Sequence, residues 1–269
     1  MNEFSVIVSI YHKENPEWFR EALDSVFAET VLPNEVVLVE DGDLTPELYA
    51  VIDHYANIYP IFKIIRNEKN LGLGLSMRKA VEAASNEILA RMDTDDIIPP
   101  NRFERQLDAI NRGYDVVSCW SQLCDATMKQ NIAIKKRPEN HNDIVRLAHR
   151  RSPVCHAACM MRKSAVLRAG NYQHCELYED YHLWARMIMT GAKFYNVQEV
   201  LYFVRTTQDQ MKRRSGLKYL KTELSFFKTF YHMGFFTIND FIINSGVRIV
   251  ARLAPVTLRK YILTNIWKH

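Results

Sequence analysis

Two rhythms of apolar residues alternate along the first part of the chain. Short, nearly unbroken runs rich in β-branched residues predict strands: FSVIVSI at 4–10, EVVLVE at 35–40, IFKIIR at 61–66 and EILARM at 87–92. The first has the composition of a strand buried on both faces. Between the runs, apolar positions return at helical spacing. Trp18, Phe19, Ala22, Leu23, Val26 and Phe27 make one stripe within PEWFREALDSVFA (16–28), which starts with proline. Thr45-Pro46 opens a second helix that runs to about Asn57, and LSMRKAVEAA (75–84) is the third. Four strands alternating with three helices predict an α/β fold with a mostly parallel sheet and right-handed crossovers. Ligands of such sheets bind beyond the carboxyl ends of the strands. Ser9, Tyr11, Glu40, Asp41 and the acidic run Asp93, Asp95, Asp96 all fall at those ends.

Farther along, PVCHAACMMRKS (153–164) reads as a strand with His156 near its start. LYEDYHLWARM (177–187) reads as a packed helix that opens with Glu179 and Asp180 and carries Leu183, Trp184 and Met187 on its apolar stripe. VLYFVR (200–205) is the last strand of the body. A basic loop, TTQDQMKRRSG, follows it, and LKYLKTELSFFKTFYHM is a helix with apolar and basic faces. The chain thus divides into a body, 1–205, and a basic helical extension, 206–269.

Charge sharpens that division. The net charge is +4, but residues 205–269 hold 12 Lys and Arg against 3 Asp and Glu, leaving 23 against 28 in residues 1–204. A basic tail suits nucleic acid, an anionic membrane surface or a phosphate-bearing substrate. No nucleic-acid reader motif accompanies it, so no nucleic-acid partner is expected. Charges every few residues rule out a spanning helix, while Trp and Tyr among them suit an interfacial one. The N-terminus has no basic, apolar leader pattern. Five cysteines without a C-x-x-C pair point to reduced thiols rather than to zinc or a disulfide framework.

The acidic run admits two readings. Asp93, Asp95 and Asp96, followed by Pro99 and Pro100, suit a solvated turn that caps a helix. They equally suit a hard divalent cation that carries a phosphate ligand. Asn70-Leu71-Gly72-Leu73-Gly74 is not a dinucleotide fingerprint, since Met77 stands where a third glycine belongs. Arg78 and Lys79 near a helix start suit a phosphate or a solvated face. A lone His156 on an apolar segment suits the core.

In order and spacing, VSIYHKE, VVLVEDGD, NEKNLGLGLSMRKAVEAA, LARMDTDD and YEDYHLWARM resemble the family 2 glycosyltransferases of the GT-A fold, over about residues 3–205. The resemblance implies a UDP-sugar donor at the sheet edge, Mn2+ or Mg2+ on its diphosphate, and inverting transfer. By position, Ser9, Tyr11 and Glu14 would line the nucleotide pocket, and Asp41 would accept from the uracil ring. Arg78 would lie near the nucleotide or diphosphate. Asp93 would meet the ribose and the metal, and Asp95 would ligate the metal. Asp180 would be the base and Glu179 would position acceptor or sugar. His156 and Trp184 would face the acceptor, and Gln210, Arg213 and Arg214 would close over the diphosphate. More narrowly, the blocks resemble enzymes that add glucose or galactose in β-1,3 linkage to undecaprenyl-diphosphate-linked saccharides in bacterial surface polysaccharide synthesis. Such an enzyme would be cytoplasmic and peripheral on the inner-membrane surface. A non-catalytic nucleotide-sugar-binding or scaffold protein on the same fold is the alternative.

Overall fold

The computed structural model describes residues 3–175, 177–207 and 217–253. Strands β1 (Phe4–Ile10), β2 (Glu35–Asp41), β3 (Phe62–Asn67) and β4 (Ile88–Arg91) alternate with helices α1 (Pro16–Phe27), α2 (Pro46–Ile58) and α3 (Leu73–Ala83). Then come α4 (Arg102–Asn111), β5 (Val116–Cys124), β6 (Asn131–Lys135), α5 (His141–Ala148), β7 (Met160–Arg162), α6 (Lys163–Arg168), α7 (Glu179–Met189) and β8 (Phe194–Arg205). Helices α8 (Leu217–His232) and α9 (Ile238–Leu253) close the described chain.

The sheet runs β3-β2-β1-β4-β7-β5-β6, with β8 also paired to β5. β1 to β4 are mutually parallel, β7 is antiparallel to both its neighbours, and β8 is parallel to β5. Alternation along β1 sends Phe4, Val6, Val8 and Ile10 toward α1, α2 and α4, and Ile7 toward α3, α6 and α7. The sheet is therefore covered on both faces, as its doubly apolar strands require.

Residues 153–164 are not one strand. His156–Ala158 form a 3-10 turn, only Met160–Arg162 pair in the sheet, and Lys163 already begins α6. The extension packs onto the body rather than standing apart. Phe226, Phe227 and Phe230 of α8, with Phe235 and Phe236, bury against Tyr181 and Ala185 of α7 and Ala148 of α5. Arg248 of α9 turns inward to Glu223, at 3.1 Å, and does not belong to an outward basic face.

Helix α4 packs behind the strand that leads into the acidic loop, with Arg102 donating to the Arg91 carbonyl at 2.7 Å, and its start is capped from a distance. Asn101 makes no side-chain cap. The Glu29 carboxyl, buried beyond α1, instead accepts from the Phe103 N–H at 3.1 and 3.3 Å. Burial lifts this carboxyl to about 7, against the opposing pull of that N–H and of Arg102. Between its ordinary 4.5 and about 7, the unfolded chain has released a proton that the folded protein keeps. Stability therefore falls as pH rises through that window. Glu29→Gln keeps an acceptor for Phe103 and removes the titration. Urea midpoints measured from pH 5 to 8 should decline less steeply for this variant than for wild type.

Candidate active site

The carboxyl ends of β1, β2 and β4 surround a cleft of about 480 Å³, within the range of ligand pockets. Ser9, Tyr11, Glu14, Asp41, Asp93 and Asp95 all line it, together with Asn70, Thr94 and Asp96. The sheet topology thus brings together residues scattered over almost ninety positions.

β2 ends at Asp41, whose carboxylate is engaged by the protein itself. Oδ1 accepts from the Leu71 N–H at 2.7 Å and from Asn67 Nδ2 at 2.9 Å, and Oδ2 accepts from the Gly72 N–H at 2.9 Å. The two backbone donors hold the loop before α3 against the cleft. Gly42 permits this, because its φ is +85° and a Cβ there would lie 2.9 Å from Asn70 N. Helix α3 then starts with no acidic residue in its first turn, a polarity that favours an anion.

Opposite lies the acidic loop. Arg91 and Asp93 are two residues apart on extended chain and share a face. Arg91 Nη1 donates to Asp93 Oδ2 at 2.8 Å and Nη2 donates to Oδ1, a bidentate pair on a buried guanidinium. Burial opposes the Arg91 charge, but Asp93 and Tyr202 hold its pKa above the ordinary guanidinium value. Asp96 caps no helix. It is buried and accepts from the Arg205 N–H at 2.8 Å and from the Tyr202 hydroxyl. Arg205, at the end of β8, also donates to the carbonyls of Asp95 and Ala126 at 2.8 and 2.6 Å, pairs with Glu21 and lies over the Trp18 ring.

Carboxylate oxygens of Asp93, Asp95 and Asp96 come within 4.8 Å of one another. Burial, then the neighbouring Asp93 charge, raises the Asp95 carboxyl to about 6. Three hard oxygen donors with more negative charge than their surroundings neutralise fit a divalent cation such as Mg2+ or Mn2+, and too few of them are present to enclose it without phosphate or water.

The second acidic pair opens α7. Ser152 Oγ donates to Asp180 Oδ2 at 3.2 Å. Burial lifts the Asp180 carboxyl above its usual range, against the pull of the Tyr181 N–H, Ser152 and Arg91. Burial also raises Glu179, and the Asp180 charge adds to it. The same Arg91 that pairs with Asp93 is thus felt by both residues. Gly74 lets the helix starts meet: a Cβ on it would sit 3.0 Å from Glu179 Cβ. The loop before α3 and the acidic start of α7 therefore share one wall.

Other expected site residues lie elsewhere. Arg78 does not line the cleft; it pairs with Glu82 at 3.0 Å on the half-exposed face of α3. Trp184 does not face an acceptor, because it is completely buried in the core beneath α7. His156 binds the Tyr172 hydroxyl at 2.8 Å and packs against the Trp184 ring. Burial and the Arg91 charge hold it well below the ordinary imidazole value, so it stays neutral. Its partners are core residues, as a lone histidine on an apolar segment suggests. Gln210, Arg213 and Arg214 lie outside the described residues. Sequence reasoning missed Arg91, Tyr202 and Arg205; the only signal was a cation ending each of two apolar strands.

A parallel sheet edge with a phosphate-ready helix start, an acidic cluster able to hold a divalent cation and a second acidic pair is the arrangement of a GT-A-like sugar-nucleotide transferase. Residues 5–169 match the model of glycosyl transferase family 2, and the chain belongs to that family. It is 36% identical over 266 residues, covering 98% of this chain and 96% of the relative, to the Escherichia coli UDP-Gal:alpha-D-GlcNAc-diphosphoundecaprenol beta-1,3-galactosyltransferase. It is 34% identical over 262 residues to the amylovoran biosynthesis glycosyltransferase AmsE of Erwinia amylovora, covering 96% and 97% of the two chains. Among solved structures, S. aureus TarS in complex with UDP-GlcNAc superposes with a TM-score of 0.64 at 16% identity, over 98% of this chain and 71% of that one. At that identity the likeness shows the fold.

Arg91 should be the least replaceable side chain of the cleft. Arg91→Met leaves Asp93 without its buried partner, and breaking such pairs costs about 3 kcal/mol or more. Urea denaturation should show a loss of that order, whereas Arg78→Met should change stability by less than about 0.5 kcal/mol.

Proposed function

We propose that this glycosyltransferase is an inverting, metal-dependent hexosyltransferase. It moves glucose or galactose from a UDP-sugar to a polyprenyl-diphosphate-linked saccharide, forming a β-1,3 linkage, in bacterial surface polysaccharide synthesis. The observation that carries the reading is the nearness of two acidic groups, one on the loop after β4 and one at the start of α7, both of which feel the buried guanidinium of Arg91. The activity named for the E. coli relative, aligned over nearly the whole chain, supports the narrower donor and acceptor.

The cleft between Asp41 and the acidic loop holds the nucleotide and its diphosphate. A divalent cation held by Asp93 and Asp95, with Asp96 behind them, would neutralise charge that develops on the departing diphosphate. Asp180 takes the proton of the acceptor hydroxyl while that oxygen bonds to the anomeric carbon. The bond from that carbon to the diphosphate breaks, and its electron pair leaves with UDP. Attack opposite the leaving group inverts the α-linked donor to a β product. Glu179, beside the loop that faces the diphosphate, positions the sugar.

The protein works at the cytoplasmic face of the membrane in this reading. Among the described residues no helix is long and apolar enough to cross it. Contact comes instead from α9, whose exposed positions 238, 239, 242, 243, 246, 249 and 250 carry no charge. Ile238, Ile242 and Ile243 are each about half exposed. Such a face suits the headgroup boundary of a bilayer better than water.

Excess chelator should abolish transfer, and Mn2+ or Mg2+ should restore it. Asp95→Ala should lower kcat at least about a thousandfold at any metal concentration, as loss of transition-state charge stabilisation does. Full turnover in chelator, followed by UDP release, would overturn the metal assignment.

Asp180→Asn should lose about a hundredfold or more in kcat while UDP-sugar affinity by calorimetry stays unchanged. Because Asp180 is raised by burial, protonation silences it at a pH above the ordinary carboxylate range. The acid limb of kcat/KM in wild type should therefore lie above the ordinary aspartate value, and residual Asp180→Asn activity should lack that limb.

A further inference from the structure

A second cavity, about 670 Å³, opens between α5, the segment after it and the start of α9. Arg146, His149, Arg150 and Arg151 line it, with Asp143 and Asp240. The two carboxylates are already taken. Asp143 accepts from Arg146 at 2.8 Å, and Asp240 accepts from Arg150 at 2.6 Å and meets His149 at 3.1 Å. Nearby Arg248 is paired with Glu223. Arg151 and the adjacent Arg137 remain, and among the described residues neither meets a carboxylate. Their Nε atoms are buried without a hydrogen-bond partner. Burial first, then the charges of Arg137 and Arg248, pull the Arg151 pKa down. Guanidinium groups gathered this way cost stability, and an arriving anion would relieve it.

Position says which anion. Ser152, next to Arg151, is the residue that donates to Asp180, and neighbouring Cα atoms are about 3.8 Å apart. Arg151 thus stands one residue along the chain from the donor to Asp180, within reach of an acceptor whose hydroxyl meets that carboxylate. On the other flank, Asp240 at the cavity wall belongs to α9, whose exposed uncharged face begins at Ile238. Hydroxyl site, cationic cavity and apolar helix face follow one another as sugar, diphosphate and hydrocarbon do in a lipid-linked acceptor.

We propose that Arg137 and Arg151 form the subsite for the diphosphate of the lipid-linked acceptor, separate from the donor diphosphate at the acidic loop, with α9 bearing the start of the hydrocarbon. The assignment rests on the reading of Asp180 as base and of a lipid-diphosphate saccharide as acceptor.

The test uses the full chain and a GlcNAc-diphosphate-alkyl acceptor, an uncharged alkyl GlcNAc glycoside, and dodecyl diphosphate as a sugar-free ligand. Arg137→Gln/Arg151→Gln should raise KM for the charged acceptor about tenfold or more, as loss of charge-assisted hydrogen bonds does. Its KM for UDP-sugar and its slow transfer to the uncharged glycoside should match wild type. Arg151→Lys, which keeps the charge, should recover part of the affinity, and dodecyl diphosphate binding should follow the same order. Unchanged acceptor KM and dodecyl diphosphate binding in the double variant, with wild type active, would overturn the subsite and leave the activity standing. Inactive wild type with arginine-dependent dodecyl diphosphate binding would refute the acceptor reading and support an anion subsite. Loss of binding to phosphatidylglycerol vesicles with unchanged acceptor KM would make the cavity a membrane-lipid contact and also overturn the proposal.

Discussion

Everything at this cleft depends on one buried guanidinium. β4 must end in the sheet interior, because β1 and β7 flank it, yet its continuation carries three carboxylates at the catalytic edge. Such charge survives burial only when it is paired or offset. Arg91 supplies the pairing from within the same strand, and Arg205 and Tyr202 from β8 hold Asp96 and the backbone of Asp95. The remaining negative charge is concentrated on Asp95, where a divalent cation would compensate it. A structural ion pair and a chemical site are thus two halves of one electrostatic balance. Its reach extends to α7, where the same Arg91 offsets part of the cost of burying Glu179 and Asp180.

The sheet edge was legible because doubly buried strands have a composition that little else shares. β1, β2 and β4 stand out as apolar runs, and the rule about carboxyl ends then points at Ser9, Asp41 and the acidic loop without further help. The stretch from 100 to 150 was not legible. β6 is an edge strand with every residue exposed, so NIAIK carries no buried face to read. At 153–164, an apolar run of small residues serves as turn, short strand and helix in succession, because burial alone does not specify which backbone fills a tight core position.

The site's supports were hidden for a different reason. Arg91 and Arg205 meet partners fixed by tertiary packing, and no local spacing shows that β8 returns beside the acidic loop. Arg248 lies in the basic extension, but Glu223 on the preceding helix turns it inward. Trp184 looked like a ligand platform and is instead the largest side chain packed beneath α7, which it helps hold level with the cleft.

The phenylalanine cluster that seats α8 against α7 ties the start of the catalytic helix to the last described part of the chain. During synthesis the sheet, the cleft walls and α7 all emerge before α8, and α7 is left with one apolar side still bare. The helix bearing Asp180 gains its backing only when Phe226, Phe230 and Phe236 have left the ribosome and folded over it. On the proposed roles, an incomplete chain would hold the residues that meet the nucleotide before the helix that carries Asp180 has its full backing.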